Sequence, residues 1–280
     1  MEENWTTEIS PLSGWFDINL KEIWKYRDLA FLFTKRNFTI TYKQTILGPV
    51  WMLITPLITS LVFTVVFGTI AKIPTDGVPN FLFYMCGNVL WGLFASCINN
   101  TANSFTSNAA LLGKIYFPRL IMPISSVMSA TVNFFIQFSI FVLMLIYFAM
   151  NGAVSPNMQY LWLLPLILLQ LGCLGLGVGI IISSVTTKYR DLAMIVGFFV
   201  QLWMYATPIV YPMSQISGTL GKLILLNPIA NTVEMFRFIF LGTGTFTFGA
   251  FGFSWLVTLI ILAIGAMLFS KVEKTFIDTI

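Results

Sequence analysis

The sequence predicts an all-α integral membrane protein with six transmembrane helices, an N-terminal cytosolic interfacial helix, and a re-entrant outer-leaflet helical hairpin between the fifth and sixth spans. Three observations predict this class. Hydrophobic residues make up 57% of the 280 residues and charged residues only 9%, against about 25% charged in a typical soluble protein. Several uncharged stretches reach the roughly 20 apolar residues that a membrane crossing needs. The basic residues gather in segments that would lie on one side of the membrane.

The spans are placed by the gaps between charged residues. Lys43 and Lys72 enclose the first uncharged stretch, and the longest one divides at the turn-rich sequence that begins with Asn151-Gly152. The predicted spans are 47–70, 81–99, 121–150, 161–185, 192–213 and 251–269. The chain is thereby divided into an N-terminal segment (1–46), a membrane domain (47–270) and a tail (271–280).

The orientation follows from the basic residues. Six spans place both termini on the same side. If that side is the cytosol, all but three of the 15 Lys and Arg residues lie inside, the exceptions being Lys72, Lys222 and Arg237. This distribution is the one that the positive-inside rule favours.

The N-terminal segment is predicted to form a helix on the cytosolic surface from Asn19 to Thr45. Asn19 followed by Glu22 resembles a capping box. Basic residues such as Lys35 and Arg36 fall on one side of the helix and aromatic residues on much of the rest. The pattern is compatible both with an anchor among lipid headgroups and with a docking surface for a cytosolic partner.

The inner loop 99–119 is predicted to form a short helix, ending before Pro118, that docks a partner. It is longer than the roughly 2–8 residues that usually join packed helices, although a simple connector remains an alternative. Its candidate contact residues are Asn103, Ser107, Asn108, Leu111, Lys114 and Tyr116. The other inner loop contains Arg190 and Asp191 and could be no more than an orientation signal.

The outer segment 214–249 contains apolar runs too short or too interrupted to cross the membrane. Asn227 and Pro228 predict a helix start, with Asn as N-cap and Pro at the first helical position. Glu234 and Arg237 share a helix face, and Gly242-Thr243-Gly244 ends the helix. Two short helices that dip into the outer leaflet are predicted; a loop lying flat on the surface is the alternative.

Several kinds of chemistry are disfavoured. The chain contains no His, the commonest general base and metal ligand, and no catalytic or metal site is predicted. It contains no G-x-x-x-x-G-K-[ST] sequence for ATP binding, so energy for pumping would have to come from another polypeptide. Among the aromatic residues near the span ends, Trp91, Tyr205 and Tyr211 are candidates to line a path.

The loops resemble the membrane subunit of type-two ABC exporters for cell-surface polysaccharides, a family that includes O-antigen, capsule and teichoic-acid export permeases. The resemblance extends over nearly the whole chain. It rests on Tyr42 to Trp51, Asp76 to Pro79, Ser107-Asn108, Lys114 to Arg119 with Pro123, Tyr189-Arg190-Asp191, Thr207 to Pro212, Leu226-Asn227-Pro228, Glu234 with Arg237, and Glu273 to Asp278. Thr41, where the family often has a basic residue, and Asn80, where it often has Tyr, depart from the pattern.

The resemblance implies a homodimer in the bacterial cytoplasmic (inner) membrane, with two copies of a separate ABC ATPase that bind ATP and Mg. Segment 103–116 would couple to that ATPase, with Arg190 and Asp191 as a minor contact. Segment 214–249 would form the outer gate. No cofactor in this chain and no nucleic-acid partner are expected.

The substrate implied is a lipid-linked polysaccharide of the undecaprenyl-pyrophosphate type, most consistent with O-antigen. Its headgroup would enter near Tyr42, Lys43, Leu47, Gly48 and Arg119, where Lys43 and Arg119 would contact either phosphate, membrane lipids or the ATPase. The alternative function is an ATP-independent carrier or channel for a small solute.

Overall fold

The computed structural model describes residues 20–43, 48, 50–108, 111, 114–115, 117–186 and 192–275. Within these residues all regular secondary structure is helical. The α-helices are α1 Leu20–Lys25, α2 Arg27–Lys43, α3 Val50–Phe63, α4 Asn80–Ala102, α5 Ile121–Met150, α6 Leu164–Thr186, α7 Leu192–Tyr205, α8 Gly218–Leu225, α9 Pro228–Leu241 and α10 Phe248–Thr275. A π-helix, Thr64–Ile70, extends α3, and 3₁₀ turns lie at Thr106–Asn108, Met158–Leu163 and Met213–Gln215.

Five helical segments are long and apolar enough to cross a membrane. They are Val50–Ile70, Asn80–Ala102, Ile121–Met150, Met158–Thr186 and Phe248–Ser270. Helices α8 and α9 meet at a bend of 93° and would supply a sixth crossing only if counted as one broken span. The protein is therefore a multi-pass membrane protein, as the composition predicts, with five or six candidate crossings among the described residues.

The predicted fifth span, 192–213, is too long. Helix α7 ends at Tyr205, and residues 206–211 form turns. Pro208 has no backbone N–H to donate and disfavours helical backbone at Thr207. The Thr207 side chain instead donates from Oγ1 to the carbonyl of Trp203 at 2.9 Å. The helix therefore ends before Pro208 and does not continue to residue 213.

Helix α4 is the centre of the bundle. Its most apolar part is 72% buried, against 17% for α3 and for α5. It packs against α3, α5 and α6, and α6 in turn packs along α10. The contact with α6 is close. Gly179 has no Cβ, and a Cβ placed there would lie only 2.5 Å from Cβ of Thr101. The Gly175/Gly179 pair therefore serves packing within the subunit.

The N-terminal helix is divided. A turn at Tyr26 separates α1 from α2, and the predicted cap residue Asn19 lies outside the described residues. Ala30 and Phe33 of α2 are buried against Phe117 and Ile121 at the start of α5, while Trp24 is 69% exposed. Helix α2 therefore packs along the first turns of α5 and leaves part of its aromatic surface exposed.

Candidate functional site

Helix α9 lies at the centre of the end of the bundle that is predicted to face outward. Every residue of α9 except Phe238 is buried, against α4, α6, α10 and the 3₁₀ turn Met158–Leu163. The helix begins as the sequence predicts: Asn227 Oδ1 accepts a hydrogen bond from the Ile229 amide at 3.2 Å, and Pro228 is the first helical residue. It ends at Gly242, whose φ of 72° is left-handed and is favoured by glycine.

An ion pair is buried inside this arrangement. Arg237 Nη1 donates to Glu234 Oε1 at 3.0 Å, and the two side chains are 1% and 2% exposed. Glu234 Oε2 also accepts from the Thr245 amide at 3.0 Å. Further hydrogen bonds to the remaining donors and acceptors offset the cost of burying such a pair, although Arg237 Nε has no hydrogen-bond partner within the described residues. The predicted common face of these two residues is confirmed.

The guanidinium of Arg237 reaches two further elements. Its Nη2 donates to the carbonyl of Ile209 at 2.8 Å and its Nη1 to that of Tyr211 at 3.4 Å, while Cζ lies 3.9 Å from the ring centroid of Phe83 on α4. A cation over an aromatic face is attracted by the ring quadrupole. Arg237 therefore fastens the turn after α7 to both α9 and α4.

The predicted aromatic residues have different environments. Trp91 is 7% exposed within the hydrophobic core, next to Phe94 at a centroid distance of 5.3 Å. Tyr205 is 45% exposed. Its carbonyl accepts a hydrogen bond from the hydroxyl of Tyr211 at 3.2 Å. Tyr205 is therefore the most exposed of the three, and the path-lining role of all three stays a prediction.

Hydrogen bonds join the turn after α7 to the start of α9, and join the following 3₁₀ turn to the loop before α4. Asn227 Nδ2 donates to Thr207 Oγ1 at 2.9 Å. Ser214 Oγ donates to Asp76 Oδ1 at 2.7 Å, and Asp76 itself has a positive φ of 52°. The loops at this end of the bundle are therefore tied to each other as well as to α9.

At the opposite end, the predicted partner-docking segment is joined to α2. Arg36 Nη2 donates to Asn108 Oδ1 at 2.6 Å, and Asn108 Nδ2 donates to the carbonyl of Ser104 at 2.8 Å. Leu111 packs, partly buried, against the cluster that joins α2 to α5. This segment contains a 3₁₀ turn at Thr106–Asn108 and a helical residue at Leu111. The rest of the predicted helix lies partly outside the described residues.

Three of the predicted docking residues are exposed, namely Asn103, Ser107 and Lys114. Asn108 and Leu111 hold the segment in place. Tyr116, Arg190 and Asp191 lie outside the described residues. With Thr106, which is also exposed, the described part of the segment therefore presents one cation and three short polar side chains, beside Ile115, which is 57% exposed.

The predicted headgroup residues are only partly described. Leu47 lies outside the described residues, and Tyr42 belongs to the last turn of α2. Lys43 is exposed at the end of α2, and Gly48 is buried with a positive φ of 50°. Arg119 is half-buried next to Phe117, which packs against Phe33.

Lys43 lies on α2 at some distance from the cluster that joins α2 to α5. It follows Phe33 by ten residues on the same helix, or about 15 Å at 1.5 Å per residue. Arg119 follows Phe117, whose ring packs against Phe33. The role of Lys43 and Arg119 as phosphate partners stays a prediction.

Comparison with known proteins identifies the family. The family described as ABC-2 type transporter matches residues 29–241. The chain belongs to the ABC-2 type transporter family. This confirms the resemblance found in the loops, and members of this family are membrane subunits of transporters.

Individual ABC-2 relatives carry a more specific name. The chain is 28% identical over 252 residues to an O-antigen export system permease protein RfbA from Klebsiella pneumoniae, covering 90% of this chain and 94% of the relative. A second Klebsiella pneumoniae RfbA is 27% identical over the same coverage. RfbA from Myxococcus xanthus is 26% identical over 224 residues, or 79% of this chain and 83% of the relative.

Several contacts of this ABC-2 chain were missed by sequence reasoning. Phe83 and the carbonyls of Ile209 and Tyr211 bind Arg237. A side-chain pattern does not predict which backbone carbonyl will accept a hydrogen bond. The two prolines around Val210 do indicate a non-helical turn, in which carbonyls are not used by helical hydrogen bonds. Arg36 was assigned only to a polar face, and its contact with Asn108 depends on how α2 folds back onto the loop.

Proposed function

We propose that this chain is the permease subunit of an ATP-driven exporter that moves a lipid-linked cell-surface polysaccharide, O-antigen in the first place, outward across the bacterial cytoplasmic membrane. The observation that carries the proposal is the similarity to O-antigen export permeases over 90% of the chain. The positions of the candidate site residues at both ends of the bundle support it.

The cytosolic end fits a separate motor. The sequence has no P-loop, so a second polypeptide supplies ATP hydrolysis. The segment around Lys114 presents its exposed side chains next to α2. Two ATPase copies would press on these segments in a homodimer with both termini in the cytosol. The tie between Arg36 and Asn108 would pass that movement to α2 and α5.

The outer end fits a gate. Helices α8 and α9 form the proposed re-entrant hairpin, because a 93° bend joins two helices that are each too short to cross. Buried polar backbone at membrane depth is tolerated where protein shields it or where it lines a water-filled path. Arg237 ties this hairpin to the turn after α7, so movement of α7 and of the hairpin would be coupled.

The test is deletion of the gene followed by complementation. The deletion strain should lose surface O-antigen and accumulate lipid-linked glycan in the inner leaflet, and the wild-type chain should restore export only together with its ATPase. Normal surface glycan in the deletion strain contradicts the proposal. Transport of a small solute by the purified chain in liposomes without ATP would favour the carrier alternative.

A further inference from the structure

A polar cavity lies between α2, the end of α4, residues 103–108 of the predicted docking segment and the first half of α5, at the end of the bundle that is predicted to be cytosolic. Its volume is about 370 Å³, within the range of roughly 300–1,000 Å³ for small-molecule sites. Nine of its eleven lining residues are Asn or Ser, and the other two are Phe38 and Ile40. None of the lining residues carries a formal charge. In a chain that is 57% hydrophobic, such a concentration of amides and hydroxyls needs an explanation.

Part of this lining is available to a ligand. Ser126 and Ser129 donate their hydroxyls to their own helix, at 3.1 Å to Met122 and 2.8 Å to Ser125, which leaves their oxygen lone pairs as acceptors. Asn133 is half-buried and makes no hydrogen bond within the described part of the chain. Its amide offers two donors and one acceptor oxygen. The cavity therefore presents donors and acceptors side by side.

The depth of the cavity places it at the membrane boundary. Helix α5 has 30 residues and is about 45 Å long, roughly 15 Å more than the hydrocarbon layer. The bond from Thr34 Oγ1 to the Ser125 carbonyl joins α2 to the early turns of α5. With α2 on the cytosolic surface, as the sequence predicts, the surplus of α5 would lie on that side, and Asn133 would lie a few ångströms inside the hydrocarbon edge.

The polar residues face the bundle instead of lipid. Ser126, Ser129, Asn133 and Gln137 follow one another at spacings of three and four residues and so share a helix face. Gln137 Oε1 lies 3.4 Å from the position that a Cβ on Gly92 would occupy, which shows that this face is turned toward α4. The amide of Asn133 is therefore directed into the cavity.

We propose that this cavity binds a neutral sugar ring of the lipid-linked glycan while the glycan is still in the cytosolic leaflet. Sugar hydroxyls both donate and accept, as Asn amides do, and the ring of Phe38 supplies an apolar wall. A phosphate would instead be bound by Arg or Lys side chains, which the lining lacks. This inference rests on the proposed function and assigns the sugar to a place distinct from Lys43 and Arg119.

The first test is photo-cross-linking in the intact complex in cells that make the glycan. Replacement of Ile40, a wall of the cavity, with a benzophenone amino acid should give a cross-linked band that reacts with antibody to the glycan. The control places the same amino acid at Leu143, an exposed residue of α5 outside the cavity. Cross-linking of phospholipid alone at position 40 would identify a membrane lipid as the occupant and overturn the proposal.

The second test measures ATPase stimulation of the purified complex in nanodiscs of phosphatidylethanolamine and phosphatidylglycerol. Asn133→Leu should raise the lipid-linked glycan concentration for half-maximal stimulation about two- to tenfold, the loss of one hydrogen bond, with an unchanged maximal rate. Ser139→Ala, an exposed hydroxyl on the same helix, should have no effect. Half-maximal stimulation by sugar-free undecaprenyl pyrophosphate should not shift in either variant.

The outcomes separate this site from the proposed function. No shift for the glycan with Asn133→Leu, or an equal shift for the sugar-free lipid, overturns the sugar site while export stands. If the wild-type complex responds to no lipid-linked glycan and its deletion leaves surface glycan normal, the proposed function fails and this inference fails with it.

Discussion

The side chain of Arg36 donates a hydrogen bond of 2.6 Å to Asn108 and thereby joins helix α2 to the loop that follows α4. The same guanidinium lies 4.9 Å from the ring centroid of Phe33, which packs against Phe117 at 5.7 Å. The chain between α4 and α5 is therefore fixed to the N-terminal helix at two points, by a hydrogen bond and by aromatic packing.

Loss of this tie should loosen the loop. Arg36→Met removes a hydrogen bond from a charged donor, which contributes about 1.5–3 kcal/mol, so residues 103–115 should exchange amide hydrogens faster. ATPase stimulation of the complex should fall as well. Lys35→Met removes the same charge from an exposed neighbour and is the matched control. Equal exchange in the two variants would contradict the proposed connection.

Charge reversal at Lys114 tests the contact with the ATPase. Lys114 is exposed at the end of the loop, so Lys114→Glu should lower substrate-stimulated ATP hydrolysis several-fold without changing membrane insertion. Insertion of a glycine at Leu111 should do the same, because it shifts the segment from its packed position. Lys222→Glu, an exposed cation on α8, is the control. Unchanged stimulation in both loop variants would assign the segment to lipid anchoring instead.

The buried ion pair should matter for stability. Arg237→Met leaves Glu234 buried without its cation, which costs about 3–5 kcal/mol, so the melting temperature in detergent should fall clearly. The double variant Glu234→Gln/Arg237→Met should recover part of the loss, because no uncompensated charge remains. Lys222→Met removes an exposed cation and should melt like the wild type. A single Arg237→Met variant as stable as the wild type would show that the pair does not hold α9.

Close packing of α6 against α4 makes a further prediction. Gly179→Leu forces a side chain into Thr101, and overpacking of this kind costs about 1–3 kcal/mol or more. The yield of folded monomer should drop. Gly252→Leu places the same side chain on α10, where no atom lies within 4 Å of the new Cβ, and should be tolerated. Similar yields for the two variants would contradict the observed helix contact.

Much of the fold is predictable because lipid imposes a simple pattern. The span 121–150 is predicted with the bounds that the structure has, since turn-forming residues and Pro118 flank an uncharged stretch. Asn227, Pro228 and the Gly242 turn are also recognised, because capping depends on neighbouring residues. The predicted fifth span is too long because the residues after Tyr205 are still mostly hydrophobic. Composition alone does not show that Pro208 favours a turn there.

The sites are less predictable because they depend on contacts distant in sequence. Glu234 and Arg237 could be paired from their spacing, but the partners Phe83 and Ile209 could not. Likewise, the sequence does not identify Asn133 as a cavity residue, because the cavity forms only when α2 and the end of α4 are folded against α5. Hydrophobic periodicity predicts on which face of its own helix a residue lies. It does not predict which residues of another helix that face will contact.

The enclosure of α9 constrains when the protein can finish folding during its synthesis. Helix α9 contacts α4 and α6, which precede it, and α10, which follows it. The partners of Arg237 and Glu234 all precede α10 in the chain. Asn231 Nδ2, in contrast, donates to Ser254 Oγ on α10 and gains this partner only once the ribosome has released the last helix. Helix α9 therefore completes its packing only after α10 has been translated.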